Sequence, residues 1–277
     1  MDYFRMSDAP GRSHGRLRIT ASRKPTELLQ DIPDLQGAWE ARIITLFPEA
    51  FPGVLGTSLM GRALKDGIWR CETIDLRDFG EGRHRNVDDT PAGGGAGMVL
   101  RADVVDRALR HAQNGAPVDR EAWPVVYLSP RGKPFDQATA VRWSRAQGVT
   151  LLCGRFEGVD QRVLDAHQIE EVSLGDFVMS GGEIAAQAMI DATVRLLPGV
   201  LGNAASTVEE SFSNGLLEAP QFTRPAIWNE REIPDVLTSG DHGKIARWRQ
   251  HNSEELTRAR RPDLWTAYEA RKGSGGT

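Results

Sequence analysis

Long apolar runs are missing from this chain of 277 residues: none approaches the ~18 that a membrane-spanning helix requires, and no membrane partner is expected. Cysteine is scarce, with only Cys71 and Cys153, both in segments read as strands and without the spacing of a ligand pair. That excludes a disulfide framework and a thiolate metal centre, and it predicts buried free thiols in a reducing compartment, the cytoplasm. The start, MDYFRMSDAPGRSHGRLR, is basic but has no apolar core or small-residue cleavage site, so a secretory signal is not expected. Two nucleotide fingerprints fail as well. Gly132-Lys133 is followed by Pro134 and Gly243-Lys244 by Ile245, so no Walker loop offers a hydroxyl to magnesium. In the glycine run from Gly93, Met98 stands where a dinucleotide-binding loop needs its last glycine. Positive charge is not in excess either, the formal net charge being −4. Local fields matter more than totals, however, and Arg83-His84-Arg85, Arg247-Trp248-Arg249 and the run Arg258 to Arg261 are basic clusters that leave room for RNA.

What is present is a soluble composition, 40% hydrophobic and 26% charged, in a chain long enough for two modest domains. Residues 1–38 are rich in Arg, Ser, Pro and Asp without regular apolar spacing and are expected to form a flexible extension. From Ala41 the pattern changes. ARIITLF, IWRCETIDL, PVVYLSP, VTLLCG and IEEVSLG are short, nearly continuous apolar runs, as strands buried on both faces require. Helices are expected near Thr57 to Lys65, from Ala102, and near 136–145, 160–167 and 183–197. Strands alternating with helices predict an α/β domain with a parallel sheet over 39–198. Residues 199–217 read as a linker. A helical domain is expected over 218–277, with helices near 241–251, capped by Ser239 or Asp241, and near 262–271.

The polar and glycine-dense loop Arg83 to Met98, RHRNVDDTPAGGGAGM, lies between a strand and a helix. Its glycines permit close backbone approach and its charged half, with His84, Asp88 and Asp89, suits a ligand loop as well as a surface loop. LSPRG, CGRFEGVD and LGDFVMSGGE each follow a predicted strand, and open α/β sheets bind ligands where such loops converge at the strands' carboxyl ends. In that picture the backbone of Leu174 to Met179 holds an adenine edge, with Phe156, Phe177 and Met179 as apolar walls or, equally, as core packing.

Taken together, the strings LFPEAF, RHRNVDDTPAGGGAGM, YLSPRG, LLCGRFEGVDQRV, LGDFVMSGGE, RLLPGVLG, EESFSNGLLEAPQFTRP and ARWR resemble, in order, the bacterial tRNA (guanine-37-N1)-methyltransferases of the SPOUT superfamily. The resemblance implies a deep trefoil knot in the α/β domain, S-adenosylmethionine bound bent within it, and a homodimer with sites between subunits. It also implies a C-terminal domain that grips tRNA carrying guanine at position 37, and magnesium dependence at a site the sequence does not reveal. Residue by residue, it assigns donor binding to Tyr127, Leu128, Ser129, Pro130, Gly154, Phe156, Glu157, Leu174, Gly175, Asp176, Phe177, Val178, Met179, Gly181 and Gly182. Guanine handling falls to His84 and Asp88, and catalysis to Arg195 and Glu210, with Glu209 as the neighbouring acid. The chain departs from the family pattern at Phe156 and Phe177, where Tyr is usual, at Ala185 in place of Pro, at Glu210 in place of Asp, and in its N-terminal extension. Two other readings stay open at this level: a tRNA-binding protein without catalysis, and methylation of a ribose hydroxyl or another base.

Overall fold

A computed structural model describes residues 37–201, 210–212 and 214–274. The expected extension, apart from its last two residues, lies outside the described residues, as do 202–209 of the expected linker, Glu209 among them.

The first strand β1 (Trp39–Thr45) is followed by α1 (Ser58–Lys65) and β2 (Trp69–Asp75). After a short ribbon, β3 (Asp88–Asp89) and β4 (Val99–Leu100), come α2 (Ala102–Ala112), β5 (Val125–Pro134) and α3 (Gln137–Arg145). Then follow β6 (Gly148–Cys153), α4 (Gln161–His167), β7 (Glu170–Ser173) and α5 (Glu183–Val194). The longer strands form one parallel five-stranded sheet in the order β2-β1-β6-β5-β7. Helices cover both faces, which explains the apolar runs. Successive side chains of a strand point to opposite faces, and here Ile43 and Leu151 join one core while Ile44 and Leu152 join the other. Three of the four buried tryptophans find acceptors, Trp143 being the exception: Trp39 donates to Trp143 O at 3.0 Å, Trp69 to Met60 O at 3.0 Å and Trp123 to Thr150 Oγ1 at 2.9 Å. Leaving such a donor unmet costs ~1–3 kcal/mol.

The C-terminal part holds a hairpin, β8 (Ile227–Trp228) and β9 (Arg231–Glu232), then α6 (Asp235–Thr238), α7 (His242–Arg260) and α8 (Pro262–Ser274). Helices α5 and α7 end elsewhere than expected, and one of the two caps expected for α7 is realised. Helix α5 stops at Val194 because the chain tightens into i→i−3 bonds, Leu196 to Thr193 O and Leu197 to Val194 O, ahead of Pro198. Asp241 caps α7 by accepting from Lys244 N at 2.9 Å, whereas Ser239 donates to Val236 O. Helix α7 runs past His251 to Arg260, since Asn252 and Ser253 weaken helix propensity but Thr257 is held by tertiary contact. The Thr257 hydroxyl is buried, donates to Ser253 O at 2.7 Å and accepts from Leu217 N at 2.9 Å.

Candidate active site

At the carboxyl end of the sheet, the loops after β5, β6 and β7 converge on a cavity of about 310 Å³. Every residue assigned to donor binding lines it except Asp176, which points to solvent. β5 opens to make room: Leu128 and Lys133 both pair with Val172, so residues 129–132 leave the ladder as a loop. The glycine before α5 is required by space. A Cβ on Gly182 would stand 2.8 Å from the Cys153 Cα, against backbone that has no room to yield. Its own N–H donates to Gly154 O at 3.1 Å, fastening the β7 loop to the β6 loop. Phe156 adopts a left-handed backbone, φ 57°, an arrangement that costs a non-glycine residue ~1 kcal/mol and projects its ring to the cavity mouth. Phe156 and Phe177 are each 54% exposed and Val178 86% exposed, an apolar rim without cover in the single chain.

Arg155 and Glu183 also belong to the site, though the sequence reading passed over them. The Glu183 carboxylate, at the start of α5, is buried, accepts from Thr45 Oγ1 at 2.8 Å and pairs with Arg155 Nη2 at 2.8 Å. Arg155 further donates to Ser180 O at 3.2 Å and lies over the Phe47 ring, 4.3 Å from its centre. An acid in the first helical turn complements the helix dipole, and here it locks the end of β1 to the two donor loops. The signal in the sequence was a charged pair, Arg155 and Glu183, flanking two glycine-bearing loops.

The glycine loop is fastened, through its last residues, to the loop after β6 that lines the cavity. Glu157 N donates to Met98 O at 2.9 Å and Leu100 N to Gly158 O at 2.9 Å, so the end of the loop is stitched to the β6 loop. Asp88 is half-buried and pairs with Leu100, one backbone removed from the donor cavity. His84 sits at the exposed tip of a turn closed between Glu81 and Asn86 and does not line the cavity.

Arg195 and Glu210 are brought together with each other but not with the donor loops. Two hydrogen bonds, 2.7 and 2.6 Å, join the guanidinium to the carboxylate in a bidentate pair. Hydrogen bonding to Arg195 holds the Glu210 carboxyl below the usual glutamate range and raises the arginine in turn. Arg195 caps the C-terminal end of α5, whose first residue follows Gly182. At 1.5 Å per residue the helix places Arg195 roughly 15 Å beyond Ala185, the last α5 residue to line the cavity, toward the opposite end of the sheet, where Leu197 and Pro198 line a hollow with Trp39 and Gln147. Cys71 and Cys153 are free thiols in strands, and burial raises both, Cys71 to about 11. Among the described residues no helix is long and apolar enough to cross a membrane, and no cluster of three or more His, Cys, Asp or Glu side chains is placed to hold a metal ion.

Known proteins share this sequence at length. A tRNA (guanine-N(1)-)-methyltransferase of Cereibacter sphaeroides is 72% identical over 239 residues, which span 86% of this chain and 96% of that protein. The protein of that name from a Ruegeria species is 67% identical over 244 residues, 88% of this chain and 99% of its own length. The one from Gluconobacter oxydans is 58% identical over 235 residues, 85% and 98% respectively. The family profile described as tRNA (Guanine-1)-methyltransferase TrmD matches residues 40–267, a span holding the sheet from the second residue of β1, all three cavity loops and the Arg195–Glu210 pair. The chain belongs to the tRNA (guanine-1)-methyltransferase family.

Proposed function

We propose that this methyltransferase moves the methyl group of S-adenosylmethionine to N1 of guanine 37, beside the anticodon of tRNA, in the cytoplasm, and so supports reading-frame maintenance. The observation that carries the reading is the single cavity gathering the three glycine-bearing loops of a family member. Its volume and the phenyl walls of Phe156 and Phe177 fit an adenosyl group. When bound, S-adenosylmethionine supplies an electrophilic methyl on a sulfonium sulfur. The residues for magnesium do not fit in the same way, since the described chain offers no ligand cluster, and no step is assigned to that ion.

Neutral guanine carries a proton on N1 and no free lone pair there, so a base within hydrogen-bond reach must take the proton as the methyl is attacked. Glu210 is that base, and Arg195 meets the negative charge that develops on O6. A carboxylate held low by an arginine is ionised but a poor base. The bidentate pair therefore has to loosen as guanine arrives: O6 takes the guanidinium, and Glu210 recovers basicity at the moment N1 is presented to it. His84 and Asp88, on the loop stitched to the cavity, position the base from the other side.

The roughly 15 Å of α5 between cavity and ion pair exceeds any hydrogen bond. A second copy removes the conflict, one subunit giving the donor cavity and the other Arg195 and Glu210. Apolar side chains left exposed beside the cavity and the start of α5, Val54, Val178 and Ile184, supply the surface for a two-fold contact. A trefoil knot agrees with the path of the chain as well. After edge strand β7, residues of the 174–182 segment line the same cavity as residues of 127–131 and 154–159, and α5 then packs on β1 and β6, back across the sheet. In this reading residues 39–198 are the donor domain, 199–217 the linker that carries the base, and 218–277 the part that grips tRNA.

Single-turnover methyl transfer tests the assignment of the base. Glu210→Gln should lose most of the rate while keeping donor affinity, Glu210→Asp should retain measurable activity, and Glu209→Gln should change little. A Glu210→Gln enzyme near wild-type speed beside an inactive Glu209→Gln enzyme overturns it.

A further inference from the structure

Trp228 presents an indole to solvent that nothing in the mechanism uses. It is 62% exposed, on a hairpin whose ladder pairs Ile227 with Glu232 and Trp228 with Arg231. The turn between the strands is tight. Asn229 and Glu230 both take left-handed backbone, φ 49° and 62°, as the tight hairpin turn that matches strand twist demands. A further bond, Ile233 N to Ala226 O at 3.1 Å, clamps the base of the hairpin. Directly opposed residues share a face and successive ones alternate, so the hairpin has two unlike faces. One carries Trp228 with Arg231, the other Ile227 with Glu232.

We propose that the Trp228–Arg231 face is a docking surface for an unpaired RNA base, the indole stacking on the base and the guanidinium meeting its phosphate. Aromatic rings flanked by cations bind unstacked bases in this way, because every base has a flat face and every nucleotide a charge. Among the described residues Arg231 forms no ion pair, in contrast to Arg258 and Arg261, which pair with Glu255 and Asp263. The charge balance of the segment agrees: ten Lys and Arg against nine Asp and Glu in 214–274, compared with 24 against 29 in the remainder. A hydrophobic contact with a second copy suits the geometry less well. The two exposed apolar residues point to opposite faces, and each is paired with a charged neighbour, so they form no continuous apolar patch.

The inference rests on the reading of tRNA as substrate, and binding is measured apart from catalysis so that the two can fail separately. An unmodified tRNA transcript with guanine at position 37 is titrated without methyl donor, at several salt concentrations. Trp228→Ala should weaken binding on the order of tenfold with the salt slope unchanged, and Trp228→Phe should restore most of it while Trp228→Leu does not. Arg231→Gln should lower the salt slope by about one phosphate contact. Wild-type affinity in Trp228→Ala, equal rescue by Leu and Phe, or dissociation of Trp228→Ala into monomers at the assay concentration would each overturn the surface. A wild-type protein that binds the transcript with these dependences yet transfers no methyl group would leave the surface standing and remove the proposed activity.

Discussion

Glu210 and Arg195 hold each other through two short hydrogen bonds, and the chemistry proposed here depends on how that pair responds to substrate. Because Arg195 pulls the Glu210 carboxyl below the ordinary glutamate range, the free enzyme keeps its base ionised at pH values where a lone glutamate takes up a proton. The acid limb of kcat/KM, which reports the free enzyme, should lie correspondingly low. In Arg195→Gln the lowering disappears, so that limb should move up toward the ordinary glutamate value while the rate falls on the order of a hundredfold for loss of the O6 partner. A pH–rate profile with an unmoved acid limb would show that the pair does not set the base. The longer arm of glutamate, compared with the aspartate of the family pattern, adds one methylene of reach. That suits a carboxylate that must let go of one partner and meet another.

Helix α5 links the two halves of the chemistry, starting against the donor cavity and ending at Arg195. Its sequence, EIAAQAMIDATV, is apolar on most of its surface, and the alternation of such helices with doubly buried strands made the sheet legible from the residues alone. The meeting of three loops at one cavity was legible for the same reason: they follow strands, and strand ends are where an open sheet binds. Other features were not. The two-residue ribbons β3–β4 and β8–β9 are too short to show a period, and Arg155 with Glu183 becomes a site only when residues 28 positions apart meet across two loops. The length of α7 escaped because its stabilising contact is tertiary, the bond from Leu217 N to Thr257 Oγ1. Thr257→Val keeps the shape and removes that acceptor, and leaving the amide unmet should cost about 1–2 kcal/mol. Faster hydrogen exchange at Leu217 and a lower urea midpoint would be the signs, and unchanged exchange would show that α7 does not hold the segment after the linker.

At the scale of the whole molecule, the proposed pairing of two chains brings together a donor cavity and a base from opposite ends of α5. Subunit mixing reads this directly. Glu210→Gln keeps its cavity, and Gly182→Ala keeps its base while its new Cβ runs into the backbone of Cys153. Each alone should be inactive, and exchange should create mixed dimers with one sound site, returning about a quarter of wild-type activity for random pairing of two-fold dimers. No rescue would place both groups in the same chain. The reaction itself is tested most directly by following labelled methyl from S-adenosylmethionine into a tRNA transcript with guanine at position 37 and identifying the labelled nucleoside. The expected product is N1-methylguanosine at that position, with no label in a transcript carrying adenine there. Label on a ribose, on another base, or on neither transcript would contradict it.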